Sequence, residues 1–229
     1  MFVVFLVDDD PAMLRALSRR LRLRGYETRP YASPQEFLAQ HDASLPGCAV
    51  LDVSMPDLDG LELQRNLAEG KVQRPVIFLT GKGDVPTSVR AMRAGAIDFL
   101  TKPVKDQDLL DAIARAERQD AATREAKSDQ ESFESRLATL TPREHEVMSH
   151  VAAGRLNKQI AADLGTVVQT IKVHRRRTMQ KLGLRSTVEL MRMAEKLEIS
   201  VDPGVNGQSA HRSPKLKYND PGAVLDRRR

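Results

Sequence analysis

Residues 2–10 read FVVFLVDDD, and this stretch decides the fold of the first half of the chain. Six apolar, β-prone residues fit a buried strand that ends where the aspartates begin. The pattern returns as CAVL at 48–51 and PVIFL at 75–79, and weaker strands are expected at 28–31 and 97–100. Because helical patterns separate these strands, we predict a parallel, doubly wound α/β sheet with five helices.

Four of the predicted strands carry a polar group at or just beyond their carboxyl end: Asp8 and Asp9, Asp52, Thr80 and Lys102. In the flavodoxin-like strand order 2-1-3-4-5, strands one and three are neighbours, so the three acids converge on one pocket. Clustered carboxylates need a cation, and Mg²⁺ suits an oxygen-only site that leaves room for a phosphoryl oxygen. The pattern predicts that Asp52 attacks a phosphoryl group, that the metal and Lys102 neutralise its charge, and that Thr80 bonds a phosphoryl oxygen.

Each of these residues has an ordinary structural explanation when it is taken alone. Asp10 precedes Pro11 at a predicted helix start and is expected to be a cap. A lone lysine such as Lys102 is commonly a solvated surface charge, and a lone Thr80 is commonly a turn residue. Their joint position at strand ends favours a reactive pocket over these separate explanations.

The second half of the chain has the pattern of a small helical domain. Thr141, Pro142 and Glu144 form a capping box with proline at the first helical position, which indicates a helix start. Glycines separate four short predicted helices, at residues 142–153, 157–164, 168–182 and 186–197. The domain carries 11 Lys/Arg against 6 Asp/Glu, so a polyanion such as nucleic acid is the expected partner.

Two segments of different composition flank this domain. Residues 119–138 are rich in charge and poor in large apolar residues, so we predict a helical linker there. Residues 201–229 are rich in Pro, Gly, Asn and Ser and end in three arginines, which predicts a disordered basic tail.

The third helix of the second domain carries the charge that points to DNA. A short helix and a glycine turn precede it, which is helix-turn-helix spacing. One face of this helix carries Gln169, Lys172, Val173 and Arg176. The opposite face is expected to pack through Ile171, Thr178, Met179 and Leu182. A solvated basic face on a structural bundle is the alternative.

Four runs resemble the receiver domain of two-component response regulators, in particular its FixJ-like branch: VDDDPAM (7–13), LDVSMPDLDG (51–60), TGKGDVPTSVRAMRAGAIDFL (80–100) and TKP (101–103). The resemblance covers residues 1–118 and implies that Asp52 accepts a phosphoryl group from a sensor histidine kinase. It also implies a metal site for Mg²⁺, formed by the acidic pair Asp8 and Asp9, by Asp52 and by the main-chain carbonyl of Ser54.

The same resemblance assigns further roles in the receiver. Thr80 and Phe99 are the switch pair, Lys102 is the invariant lysine, and the Lys102–Pro103 bond is cis. Lys82 stands where this branch usually has histidine, next to Thr80. This departure is expected to affect the lifetime of the phosphoryl group rather than its transfer.

The segment at 140–184 resembles the LuxR/NarL-type DNA-binding domain: LTPREHEVMSHVAAGRLNKQIAADLGTVVQTIKVHRRRTMQKLGL. By that resemblance Lys172, Val173 and Arg176 face bases. The expected phosphate contacts are Lys158, His174, Arg175, Arg177 and Lys181. Val167 stands where relatives usually have the serine cap of the recognition helix, which predicts weaker DNA binding unless Thr166 substitutes.

We therefore predict a phosphorylation-dependent transcriptional response regulator with a receiver (1–118), a linker (119–138), a DNA-binding domain (139–200) and a tail (201–229). Its expected partners are a sensor histidine kinase, double-stranded promoter DNA and RNA polymerase. Phosphorylation is expected to produce a homodimer through the face formed by residues 84–100. No enzymatic activity is expected beyond self-catalysed phosphoryl transfer to Asp52 and hydrolysis from it.

Three other functions are less consistent with the sequence. An aspartate-nucleophile phosphatase would carry a second aspartate where Ser54 stands. A phosphate-binding loop would need a glycine at position 76, which is valine. A phosphate-independent DNA-binding protein with a relic receiver is disfavoured by the complete acidic pocket.

Composition excludes several other classes. The apolar opening is too short for a signal peptide and no run approaches the roughly 20 apolar residues of a membrane span, so a cytoplasmic protein is expected. The single cysteine, Cys48, lies in an apolar run and is expected in the core, and it can form neither an internal disulfide nor a thiolate cluster.

Overall fold

A computed structural model of the protein describes residues 1–56, 58–70, 72–81 and 85–197. Lys82 and the predicted tail at 201–229 lie outside the described residues. The chain divides into two compact units, Met1–Ser135 and Arg136–Arg229.

The first unit is a five-stranded parallel sheet in the order β2-β1-β3-β4-β5, as predicted. Strands and helices alternate along the chain: β1 Val3–Val7, α1 Pro11–Arg22, β2 Glu27–Tyr31, α2 Pro34–Gln40, β3 Gly47–Asp52, α3 Gly60–Glu69, β4 Val76–Thr80, α4 Val85–Arg93, β5 Asp98–Thr101 and α5 Asp106–Leu137. The side chain of Asp10 accepts a hydrogen bond from the N–H of Ala12 at 2.8 Å and caps α1, as predicted.

Helices cover both faces of the sheet, which explains why its strands are continuous apolar runs. Neighbouring residues of β1 point to opposite faces: Phe5 packs with Phe37 and Leu63, while Leu6 packs in the cluster that holds Leu17. Both faces are closed, so every residue of β1, β3 and β4 is buried. Cys48 in β3 is part of this core, as expected, and burial raises the pKa of its thiol.

The predicted linker forms the second half of α5 and is not a separate element. Its first turns pack against the receiver: Asp120, 2% exposed, accepts hydrogen bonds from the N–H of Gly47 at 3.2 Å and from Nε of Arg124 at 2.8 Å. Arg124 also donates to the carbonyl of Ser44 at 2.7 Å. The beginning of the predicted linker therefore contacts the receiver, because Asp120 and Arg124 bond to each other and to residues at and just before the start of β3.

The second unit contains four described helices: α6 Pro142–Ala152, α7 Asn157–Asp163, α8 Val168–Leu182 and α9 Thr187–Lys196. The capping box of Thr141 and Glu144 is present, and Gly183 ends α8 with a left-handed φ of 67°. Buried apolar side chains from all four helices form the core, among them Val147, Ile160, Ile171 and Leu190. Val167 precedes α8 without a side-chain cap, as its identity predicts.

Candidate functional site

Three aspartates meet at the carboxyl end of the sheet, where the sequence predicts them. Asp8 directly follows β1, Asp52 is the last residue of β3, and these strands are paired neighbours. One carboxylate oxygen of each of Asp8, Asp9 and Asp52 lies within 4.8 Å of the others. Asp8 and Asp52 are 3% and 7% exposed, whereas Asp9 is exposed, so the cluster opens to solvent on one side.

Lys102 supplies a positive charge to this cluster. It follows β5, its bond to Pro103 is cis as expected, and its N–H donates to the carbonyl of Thr80 at 2.7 Å. The ammonium lies 2.7 Å from Oδ2 of Asp8 and 3.3 Å from Oδ1 of Asp52. Burial lowers the pKa of Lys102, but the hydrogen bond to Asp8 and the charge of Asp52 outweigh it, so the net shift is upward. Lys102 therefore stays protonated and bridges the two buried acids.

Asp52 is held in a less ionisable state than an ordinary aspartate. Burial raises its pKa most, Lys102 opposes this, Asp8 adds to the rise, and a hydrogen bond from the backbone of Ser54 opposes it again. The net shift is upward. A buried carboxylate of this kind becomes more stable when a further cation binds to it or when it bonds to an electrophile, because either event reduces its uncompensated negative charge.

The predicted switch residues lie on β4 and β5, which are paired neighbours at one edge of the sheet. Thr80 ends β4 and is 2% exposed. Phe99 lies on β5 opposite Phe78, is partly buried against the core, and has its ring centroid 6.1 Å from that of Phe78. The fold thus brings Thr80 to the same sheet end as the acidic cluster and places Phe99 on the neighbouring strand.

The basic helix α8 exposes part of the predicted DNA-reading surface. Gln169, Lys172, Val173 and Arg176 are exposed, as are Arg177 and, on α7, Lys158. The opposite side packs inward: Ile171, Thr178 and Leu182 are buried and Met179 is partly buried. The geometry of a helix that packs on one side and offers cations on the other agrees with the sequence.

Lys181 makes contacts within its own domain that the sequence analysis did not anticipate. Its ammonium lies 2.6 Å from Oε2 of Glu144 and donates to the carbonyl of Thr139 at 3.2 Å. The hydrogen bond from Lys181 is the largest contribution that lowers the pKa of Glu144 to about 2. The phosphate contact of Lys181 stays a prediction, and the structure adds that its charge already pairs with a buried carboxylate of its own domain.

Arg175 and His174 are also less available than the sequence indicates. Arg175 is partly buried and donates to Oδ1 of Asn157 at 3.0 Å and to Oγ1 of Thr187 at 2.6 Å, which ties α8 to both neighbouring helices. His174 is partly buried. Sequence reasoning missed these partners because no local pattern pairs residues 12 to 18 positions apart.

The two units together define a class of protein. An acidic pocket with a bridging lysine at the carboxyl end of a parallel sheet fits a domain that accepts a phosphoryl group, and a helix-turn-helix with an exposed basic helix fits a DNA-binding domain.

Within residues 1–56, 58–70, 72–81 and 85–197, we find no helix long and apolar enough to cross a bilayer.

Comparison with known proteins agrees with this class. The family model for the response regulator receiver domain matches residues 4–114, and that for bacterial regulatory proteins of the luxR family matches residues 138–194. Nodulation protein W of Bradyrhizobium diazoefficiens is 44% identical over 200 residues, which cover 87% of this chain and 88% of that protein. Transcriptional regulatory protein FixJ of Rhizobium meliloti is 40% identical over 193 residues, covering 84% and 95%.

A solved structure also matches across both units. That of the response regulator StyR superposes with a TM-score of 0.72 at 42% identity and covers 85% of this chain and 98% of that one. The chain therefore belongs to the NarL/FixJ-type response regulators, in which a receiver is joined to a LuxR-type DNA-binding domain. It is a phosphorylation-dependent transcriptional regulator, and its two domains imply a histidine kinase partner and binding to DNA.

Proposed function

We propose that Asp52 is the phospho-acceptor of this regulator. The observation that carries the proposal is the contact of a 7% exposed strand-end carboxylate with Lys102 at 3.3 Å, beside two further acids. An oxygen of Asp52 attacks phosphorus, the bond from phosphorus to the imidazole nitrogen of a phosphohistidine donor breaks, and the imidazole takes up a proton. Lys102 offsets the negative charge that gathers in the pocket during this transfer.

The donor set of the pocket fits Mg²⁺. Hard divalent cations prefer carboxylate and carbonyl oxygens, and the clustered acids repel one another unless a cation joins them. We assign Asp8, Asp9, Asp52 and the carbonyl of Ser54 to this ion. When bound, Mg²⁺ neutralises charge on the phosphoryl oxygens and helps to orient them.

Thr80 and Phe99 are proposed to carry the signal from the pocket to the surface. The hydroxyl of Thr80 bonds a phosphoryl oxygen and draws the end of β4 towards Asp52, and Phe99 on the neighbouring strand turns further into the core. These shifts reshape the face of residues 84–100, where Val89 and Met92 of α4 are 41% and 47% exposed. A homodimer that covers this face is the proposed active state.

For DNA, we propose that Gln169, Lys172, Val173 and Arg176 read bases in the major groove and that Lys158 and Arg177 contact phosphates. The exposure of all six side chains supports contact with DNA. We assign Arg175 a positioning role, because it holds α8 against α7 and α9. His174 is a weaker candidate for a phosphate contact because it is partly buried.

The remaining assignments follow from this function. We propose that the regulator works in the cytoplasm, binds double-stranded promoter DNA and contacts RNA polymerase. The proposed divisions are those predicted from the sequence: a receiver at 1–118, a helical linker at 119–138, a DNA-binding domain at 139–200 and a tail at 201–229.

Labelling with a small radioactive phosphoryl donor such as acetyl phosphate, in the presence of Mg²⁺, tests the acceptor. Asp52→Asn should take up no label and should not dimerise in sedimentation. Asp10→Asn is the matched control, because asparagine caps a helix as well as aspartate and Asp10 is outside the acidic cluster. Label that persists on Asp52→Asn would show that another group is the acceptor.

A further inference from the structure

A groove lies on the receiver between α1, the edge strand β2 and the start of α2, away from the acidic pocket. Its volume is about 670 Å³, which is within the range of small-molecule sites. Its apolar lining comes from Pro11, Leu14, Leu23, Pro30 and Ala32. Leu23 is 77% exposed, an unusual position for a leucine that no other part of the described chain covers.

Three arginines line the same groove on one face of α1. Arg15, Arg19 and Arg22 are spaced at i, i+4 and i+7 and are all exposed. Arg22 donates to Oγ1 of Thr28 at 2.8 Å, a neutral acceptor. For Arg15 and Arg19 we find no ionic partner among the residues that the structure describes. Like charges four residues apart destabilise a helix slightly.

The other acids and arginines of this region are already engaged. Arg20, on another side of α1, pairs with Asp106, and Arg24 lies 3.9 Å from the same carboxylate. Glu36, the one acid that lines the groove, accepts a hydrogen bond from the N–H of Ala32 at 2.8 Å. Three arginines against this one glutamate leave the lining of the groove with a net positive charge.

Ser18 adds a polar group to the wall of the groove. It is 7% exposed, and its hydroxyl has no hydrogen-bond partner in the described part of the chain. Buried hydroxyls are normally bonded, and rotation about χ1 lets a serine hydroxyl turn towards a ligand. The groove thus combines an apolar floor, two uncompensated guanidinium groups and one unbonded hydroxyl.

We propose that this α1–β2 groove binds a small amphipathic carboxylate. The apolar body of the ligand covers Leu14, Leu23 and Pro30, and its carboxylate pairs with Arg15 and Arg19, whose planar guanidinium groups suit that geometry. The charge selects an anion and the lining selects an apolar body, so neither a sugar nor a metal ion fits the site.

The groove lies beside the turn that leads from β1 into the phosphorylation pocket. Pro11 lines the groove and directly follows Asp10, which caps α1 and whose N–H donates to Oδ1 of Asp8 at 2.9 Å. A ligand in the groove therefore contacts the turn that orders the acidic pair. This site is distinct from the phospho-acceptor pocket, so its occupation can be tested without phosphorylation.

The test uses the full chain and octanoate as the probe. In ¹H–¹⁵N correlation spectra, octanoate should cause saturable shifts confined to residues 11–36, with half-saturation at about 1 mM for a ligand of this size. Octan-1-ol has the same chain without the charge and acetate has the charge without the chain. Each should bind at least about tenfold more weakly.

Two variants and one control locate the site. Arg15→Gln combined with Arg19→Gln should weaken octanoate binding at least about tenfold, and Ala32→Trp should abolish it by filling the groove without changing charge. Arg65→Gln changes an exposed side chain on α3, away from the groove, and should leave binding unchanged. These positions are exposed, so circular dichroism should stay unchanged. Shifts spread over the DNA-binding domain, equal binding of octan-1-ol, or unchanged binding by the double variant would each overturn the proposal.

Discussion

Replacing Lys181 by methionine tests whether this lysine stabilises the second domain or contacts DNA. Methionine keeps most of the apolar stem but removes the ammonium that lies 2.6 Å from Glu144. Glu144 is 4% exposed, so its carboxylate would remain buried without its partner. We therefore expect a loss of stability that the sequence alone does not predict.

The structure sets the size of this loss. Breaking a buried ion pair by removing one partner costs about 3–5 kcal/mol. Here the Lys181 side chain is 38% exposed, and Glu144 keeps hydrogen bonds from the N–H of Thr141 at 2.9 Å and from its hydroxyl at 3.1 Å. Both features reduce the cost, so we expect about 2 kcal/mol, or a fall in melting temperature of about 10 °C for a domain of this size.

Thermal unfolding and DNA titrations at several salt concentrations measure the two possible roles of Lys181 on the same protein. Arg177→Met is the matched control, since Arg177 lies exposed on the same helix. It should change stability by no more than about 0.5 kcal/mol and lower the salt slope by about 0.9 if it contacts a phosphate. If Lys181→Met instead kept its melting temperature and lost the same salt slope, the structural role would be refuted.

Three further results are expected. Mg²⁺ should raise the melting temperature of the natural chain more than that of Asp9→Asn, because the ion binds only the folded pocket; equal shifts in scanning calorimetry would argue against this metal site. Asp120→Ala should destabilise the receiver by about 2–4 kcal/mol in urea unfolding, since Arg124 and a buried N–H lose their acceptor, and a change within about 0.5 kcal/mol would contradict that role. The pKa of Glu144 falls from 4.5 to about 2 on folding, so the stability it provides should be complete above pH 4.5 and disappear as pH falls towards 2. Glu144→Gln should therefore flatten the dependence of stability on pH in calorimetry. An unchanged pH profile would exclude this contribution of Glu144.

The strands and the acidic pocket were predictable because local sequence specifies both. A strand covered by helices on two faces must be apolar throughout, and a polar residue at its end must lie at the rim of the sheet. Thus the runs that end at Val7, Leu51 and Leu79 set the positions of Asp8, Asp52 and Thr80 without knowledge of any tertiary contact. The capping box at Thr141 was predictable for the same local reason.

The burial of Asp120 was not predictable from a charged, linker-like segment. An aspartate four residues before an arginine indicates a surface ion pair on a helix. Asp120 instead packs against the start of β3 and accepts a hydrogen bond from the N–H of Gly47, 73 residues away in sequence. Only the folded chain shows that the beginning of the linker helix belongs to the packing of the receiver.

Helix α8 shows that basic residues of one helix can differ in their contacts within the domain. Its basic residues look equivalent in sequence, yet the fold uses Lys181 to neutralise buried Glu144 and Arg175 to join three helices. An ammonium or guanidinium group that already bonds to an internal acceptor contributes less binding free energy on contact with a phosphate, because the internal contact must first be broken. The exposed cations Lys172 and Arg176 have no such competing partner among the described residues. A helix that reads DNA needs some charged side chains that fix its orientation within the domain and others that stay exposed and contact the DNA groove.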